Sequence, residues 1–203
     1  MTKKNRLGKS LIYKGFRKNL EQEFGNAVAE RIWMEANEQL TLLEKRYPDI
    51  TGDSRMMVLP AAALYLALQN HAPDKALVLL KAHGRDVGEL ISRVVHSITC
   101  VPGILELLWR AMPWLMRQMS SETAGYTRRI VSESHEFVGV DILSCPLHDA
   151  AVRIGVPQAS MVVCAMDKAY MTGFRRIRYT RTRSVAEGDE CCDYRLSYDK
   201  DKK

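Results

Sequence analysis

Arg175-Arg-Ile-Arg-Tyr-Thr-Arg-Thr-Arg-Ser-Val-Ala-Glu-Gly-Asp-Glu-Cys-Cys-Asp-Tyr-Arg-Leu-Ser-Tyr198 decides how this chain is read. Its two ends read as strands, over 175–184 and 190–198. Glu187-Gly188-Asp189 between them reads as a hairpin turn, with glycine where a positive φ is needed. Strand alternation then sorts the second strand. Cys192, Tyr194 and Leu196 point one way, as a core face, and Cys191, Asp193 and Arg195 point the other. Across the hairpin, Asp193 and Arg195 are expected beside Arg181 or Arg183. A structural ion pair is the simplest reason for such a placement.

Working outward, residues 125–132 and 135–144 read as two further strands. Between the strand pairs lie a short helix, Pro146 to Ile154, closed by Gly155, and a second helix over 157–172. The order strand–strand–helix–helix–strand–strand predicts an antiparallel sheet with helices on one face. Upstream the period changes from two to about four. Ile12, Phe16, Leu20 and Phe24 form one stripe, and Val28, Ile32, Ala36, Leu40, Leu43 and Tyr47 continue it past Gly25 until Pro48. Thr51 to Ser54 offers N-cap side chains for a helix over about 55–70 that is apolar all round and therefore buried. Asp74 and Asp86 predict a third helix ending at Gly84 and a fourth ending near Cys100. The fold class expected is α+β: a helical N-terminal half packed with a C-terminal four-stranded antiparallel sheet carrying two helices. The helical region is 1–120 and the α/β region 121–203, within one integrated domain.

Charge and cysteine usage narrow the function classes. The net charge is +6, with Lys and Arg gathered in 3–18, in 175–183 and in the tail. These runs lack interleaved aromatics or a helix-turn-helix, so no nucleic-acid partner is expected. An anionic small substrate needs only one or two placed arginines. The charged N-terminus has no apolar core of a secretory signal, and the five cysteines are an odd number without a CxxC pair. A cytoplasmic protein with reduced thiols is expected. The apolar run 101–119 carries Glu106 and Arg110 in its middle, which argues against a membrane span, and Pro113 should kink it. That run and the stripe at 28–47 exceed what one small sheet can cover, so a homo-oligomer is expected.

Four features of the last 60 residues carry chemistry: Cys145-Pro146 at a strand end; Cys164 and Asp167, three apart on one helix face; Arg181-Thr182-Arg183-Ser184; and Gly188 followed by Cys191-Cys192-Asp193-Tyr194-Arg195. As an ordered set, Cys145, Pro146, Gly155, Cys164, Asp167, Arg181, Ser184, Gly188, Cys192, Asp193 and Arg195 resemble the L-2-amino-thiazoline-4-carboxylic acid hydrolase family over roughly 125–198. Ser184 stands where that family more often has Thr, and Tyr194 where it more often has Phe. The stretch from Cys164 to Arg195 is also distantly similar to 4-vinyl-reductase-type small-molecule-binding domains.

The resemblance implies a small-molecule hydrolase opening a cyclic C=N/C–N bond of a carboxylated substrate, such as L-2-amino-thiazoline-4-carboxylate, to N-carbamoyl-cysteine. That reaction needs a base or a thiolate nucleophile, a proton for the ring nitrogen and a hold on the carboxylate. Asp167 or Asp193 is the candidate base, and Cys164 or Cys192 the candidate nucleophile. Arg181 or Arg195 is the candidate carboxylate partner, with Ser184 and Cys145 beside the substrate. Each thiol has an alternative as a buried small hydrophobe. Cys145, Cys164, Cys192 and His148 lack a zinc spacing, so neither a metal nor a cofactor is expected. The alternative to an enzyme is a binding or sensing domain that uses the same pocket without turnover.

Overall fold

The computed structural model describes residues 5–199; Lys3, Lys4 and the tail lysines noted above lie outside the described residues. The chain is α+β. Helices α1 (Phe16–Phe24), α2 (Asn26–Arg46), α3 (Leu59–His71), α4 (Pro73–Thr99) and α5 (Ile104–Met119) precede strands β1 (Thr127–Glu133) and β2 (Phe137–Ser144). Helices α6 (Pro146–Arg153) and α7 (Gln158–Tyr170) follow, then β3 (Ile177–Thr180) and β4 (Cys192–Tyr198). The chain divides into two compact units, one made of residues up to Val87 with Leu147–Ala165, the other of Gly88–Pro146 with the residues from Met166 onward.

In the first unit, most of the expected stripe of α2 is buried: Ile32, Ala36, Leu40 and Leu43 line its inner face together with Ala29 and Trp33, while Val28 and Tyr47 are only partly buried. Gly25, at φ 76°, separates α1 from α2, a conformation that costs glycine little. Asn37 is buried in α2 and ties down the chain before α1. Its Oδ1 accepts the N–H groups of Arg6 at 2.7 Å and Leu7 at 3.1 Å. Helix α3 is buried over most of its surface from Leu59 and Pro60 to Leu68, with Tyr65 and Leu66 partly buried, and follows a π-helical turn over Ser54–Val58. Asp53, at the start of that turn, makes no side-chain capping bond.

The second unit holds a four-stranded antiparallel sheet in the order β1-β2-β4-β3. Val138, Val140 and Ile142 of β2, Cys192 and Leu196 of β4 and Ile177 of β3 form its apolar face. They are gathered in one core with Leu105, Trp109, Met112 and Met116 of α5, spaced 4-3-4 on one helical side. Trp109 Nε1 donates to the carbonyl of His135 at 2.6 Å, which satisfies its buried polar atom. Pro113 lies inside α5, whose helix is assigned without a break from Ile104 to Met119.

Two expectations are corrected. The helices expected at 74–84 and 86–100 are one helix, α4. Gly84 and Gly88 do not terminate it; they allow close approach. A Cβ on Gly84 would lie 2.5 Å from the carbonyl oxygen of Val162, and one on Gly88 would overlap the carbonyl oxygen of Met166 and the Ala169 side chain. The strand expected over 175–184 ends at Thr180, so β3 and β4 are joined by an eleven-residue connection, 181–191, rather than a tight hairpin. A short 3₁₀ turn, Val185–Glu187, closes on Gly188 at φ 97°, so the glycine is needed where it was expected. Where the strand ends, the Asp193 carboxylate takes the N–H groups of Thr182 and Arg183, two consecutive donors of which a continuing ladder to β4 would use one. No single helix among the described residues is long and apolar enough to cross a membrane; only the broken pair α4 and α5, taken together, reaches that length and composition.

Candidate functional site

The last turn of α7 places Asp167 and Tyr170 at i and i+3, on one side of the helix. In the register of the sheet, Tyr194 lies opposite Val140 and so projects from the apolar face. Arg181 follows the last residue of β3. These elements converge on the Asp167 carboxylate. The Tyr194 hydroxyl donates to Oδ2 at 2.6 Å, and Arg181 Nη1 donates to the same oxygen at 3.0 Å. Arg181 Nη1 is also 3.1 Å from the Tyr194 hydroxyl, and its guanidinium carbon stands 5.5 Å over the Tyr194 ring. Tyr179 packs beside Tyr194 with ring centroids 5.9 Å apart. Its hydroxyl is buried and has no hydrogen-bond partner among the described residues.

The electrostatics follow from this enclosure. Only 6% of the Arg181 side chain is exposed, against 21% for Asp167. Burial pushes the Asp167 carboxyl above the usual carboxylate range. The hydrogen bond from Tyr194, the charge of Arg181 and the hydrogen bond from Tyr170 pull it back without cancelling the rise. Burial, and then the Asp167 charge, hold Tyr170, Tyr179 and Tyr194 well above an ordinary phenol, so they remain protonated donors. Asp167, Tyr126, Tyr170 and Tyr194 line a pocket of about 100 Å³ whose apolar wall includes Met116, Met119, Met171 and Ile142. Two larger hollows, of about 220 Å³ beside Trp109 and Pro113 and about 360 Å³ beside Cys100 and Arg175, hold no carboxylate–phenol group of this kind.

The residues singled out from sequence are distributed as follows. Asp167 and Arg181 are brought together, with Asp167 in the pocket wall and Arg181 outside the lining. Asp193 lies on the opposite strand face, as alternation requires. Its Oδ1 accepts the N–H groups of Thr182 at 2.8 Å and Arg183 at 2.6 Å, and its Oδ2 the Thr182 hydroxyl at 2.7 Å. Burial alone would raise its pKa; the bonds from Arg183 N–H, Thr182 hydroxyl and Thr182 N–H outweigh it and hold the carboxyl below its usual range. Arg195 is on that same face and pairs with buried Asp141 at 2.7 Å, an aspartate that Arg129 also contacts. Cys192 is buried in the core, and its sulfur accepts the Val185 N–H at 3.3 Å. Ser184 is buried in the connection, its N–H donating to Asp189 Oδ2 at 2.7 Å. Cys145, at the end of β2, is partly buried against the core of its unit. Cys164 and His148 belong to the other unit, where His148 Nδ1 is 3.0 Å from the Ser160 hydroxyl. Among the described residues, no group of three or more His, Cys, Asp or Glu side chains is arranged to hold a metal ion.

Sequence reasoning missed the tyrosines. Tyr170 stands three residues after Asp167, the same helical spacing that singled out Cys164, and this was the signal available. Tyr194 was assigned to the correct face but only as core.

No curated protein matches the chain. Nine chains of solved structures match it. One is the Fe(II) unliganded H-NOX protein from K. algicida, 10% identical, with 95% of this chain and 97% of that chain covered and a TM-score of 0.42. The sequence pattern of the L-2-amino-thiazoline-4-carboxylic acid hydrolase family matches residues 53–196, well over half of the chain, and the chain belongs to that family.

Proposed function

We propose that this protein is a small-molecule hydrolase that opens a cyclic amidine such as L-2-amino-thiazoline-4-carboxylate, with Asp167 as its general base and acid. The observation that carries the reading is the raised Asp167 carboxyl in the wall of a small pocket, tethered by Tyr194 and Arg181. A carboxyl raised above its usual range is a stronger base than an ordinary one, so it takes a proton from water more readily. In the reaction, Asp167 takes a proton from water as the water oxygen bonds the carbon between ring nitrogen and sulfur. The ring nitrogen of the protonated amidine becomes the N–H of the tetrahedral adduct. The carbon–sulfur bond then breaks, the proton held by Asp167 passes to sulfur, and the adduct's hydroxyl proton leaves to solvent as the carbonyl forms. The product is N-carbamoyl-cysteine. Cys192 is a weaker candidate nucleophile, because its sulfur is buried and engaged by the Val185 N–H.

Incubating the purified protein with L-2-amino-thiazoline-4-carboxylate, and following the new thiol together with the mass of N-carbamoyl-cysteine, tests this directly. Asp167→Asn should abolish thiol release while the far-UV spectrum is kept. Wild-type protein that binds the compound without releasing thiol would count for the second reading, a binding or sensing domain. The Asp167–Arg181 ion pair supports that reading, since a carboxylate already matched by a cation also suits a non-reacting wall.

A further inference from the structure

The pocket beside Asp167 is unlike the one its family name leads one to look for. A carboxylated substrate suggests an arginine reaching into the cavity, yet neither candidate lines it. Arg181 is used up behind the wall, bonded to Asp167 and Tyr194, and Arg195 is spent on Asp141 on the other face of the sheet. The wall holds a carboxylate, three phenol rings from Tyr126, Tyr170 and Tyr194, and the thioethers of Met116 and Met119. Phenol faces and thioethers suit a flat, polarisable group and favour one that bears positive charge. Tyr194 and Arg181 both bond Asp167 Oδ2 and Tyr170 donates to the same carboxylate, while 21% of the Asp167 side chain is exposed. A carboxylate in the pocket wall is a hydrogen-bond acceptor, which calls for N–H donors on the ligand. A carboxylate pushed into the same space would face Asp167 with no cation among the described residues of the wall to match it.

We infer that this pocket selects a compact planar N–H-bearing head, an amidine or guanidine, and takes it in amine end first, with any carboxylate of the ligand left at the mouth. The inference rests on the hydrolase reading only for the choice of site. It assigns specificity to the pairing of a ligand N–H with Asp167, between aromatic and thioether walls. Arg181 then acts as a positioning residue that fixes the carboxylate and the Tyr194 hydroxyl. The volume of about 100 Å³ limits the buried part of the ligand to a single small ring or its equivalent.

Four probes test this by calorimetric or NMR titration of the full chain: 2-amino-2-thiazoline, methylguanidine, 2-methyl-2-thiazoline, and 2-methyl-2-thiazoline-4-carboxylate. The first two should bind about tenfold or more tighter than the last two, since a methyl group replaces a donor to a charged acceptor. In Asp167→Asn that difference should disappear. Equal binding of the methyl isostere, tighter binding of the carboxylate probe, or no binding of any probe would overturn the inference. The series on the unaltered chain decides the matter alone if Asp167→Asn does not fold. Failures of the two proposals are separable. If the amine probes bind selectively but L-2-amino-thiazoline-4-carboxylate releases no thiol, the hydrolase reading fails and this inference stands. If thiol is released but the probes are not discriminated, the inference fails and the hydrolase reading stands.

Discussion

Replacing Asp193 should loosen the connection that carries Arg181, and the size of the effect can be worked from the bonds it makes. Its carboxylate accepts two backbone N–H groups and one hydroxyl, at 2.8, 2.6 and 2.7 Å, and only 11% of the side chain is exposed. A hydrogen bond to a charged acceptor contributes about 1.5–3 kcal/mol, and three sharing one carboxylate are less than additive. Asp193→Ala should therefore cost about 3–5 kcal/mol. For a chain of this length that is a fall in Tm of about 10 °C. Asp193→Asn keeps an oxygen for the two N–H groups and loses the second oxygen, so about 1–2 kcal/mol is expected.

The pH dependence follows from the sign of the shift. The folded-state pKa of Asp193 is lowered by these bonds, so the stability it contributes is full above the unfolded value, near 4. It is lost as pH falls through the folded value, where the protonated acid resembles the amide. Urea titrations at pH 7 and at steps down to pH 3 should show the gap between wild type and Asp193→Asn shrinking on the acid side. An Asn variant as stable as wild type at pH 7, or a gap that does not change with pH, would refute the reasoning. Because Arg181 directly precedes the two anchored residues, both variants should also lose ligand affinity in proportion to their loss of order.

Three further outcomes are expected. Tyr194→Phe removes the 2.6 Å donor to Asp167 and leaves the fold intact; the carboxyl should rise further, and the acid limb of any rate–pH profile should move to higher pH, read from kcat against pH. Gly88→Ala forces a methyl against the Met166 carbonyl and the Ala169 side chain, and should cost about 1–3 kcal/mol in chemical denaturation. His83 is buried, with Nε2 2.9 Å from the Ile12 carbonyl and its ring edge-on to Phe16. Burial lowers its pKa, against the opposing bond to Ile12 and the charge of Asp86. A base depressed on folding weakens the fold as pH drops below about 6.5. His83→Gln should flatten the decline in denaturation midpoint between pH 7 and pH 5.

Much of the fold was legible because two periods do not mimic each other. A row such as Ile32, Ala36, Leu40 and Leu43 fits a helix, and the alternation of Val138, Val140 and Ile142 fits a sheet with one apolar face. What could not be read was the meaning of punctuation. Gly84 looks the same in sequence whether it ends a helix or lets another backbone approach, and only the position of the Val162 carbonyl distinguishes the two. The end of β3 was hidden for a related reason. Thr182 and Arg183 have no local signal that stops a strand; a carboxylate ten or eleven residues further along the chain takes their N–H groups.

The candidate site separates along the same physical line. Of the residues that the spacing and the basic strand single out, Asp167 and Arg181 are brought together, while Cys164 falls in the other unit. Alternation in β4 already carried the rest, because one strand cannot present Asp193 and Tyr194 to the same pocket. Once Tyr194 is on the core face with Cys192 and Leu196, Asp193 and Arg195 must lie opposite, where the first anchors the connection and the second meets Asp141. A tyrosine on an apolar face reads as packing until a buried acid is found within reach of its hydroxyl. Here that acid is Asp167, and the hydroxyl lies 2.6 Å away. The two aspartates that look equivalent in sequence therefore differ in kind. Bonding to backbone N–H groups lowers Asp193 and makes it a structural anchor, while burial raises Asp167, the direction that its proposed role as base and acid requires.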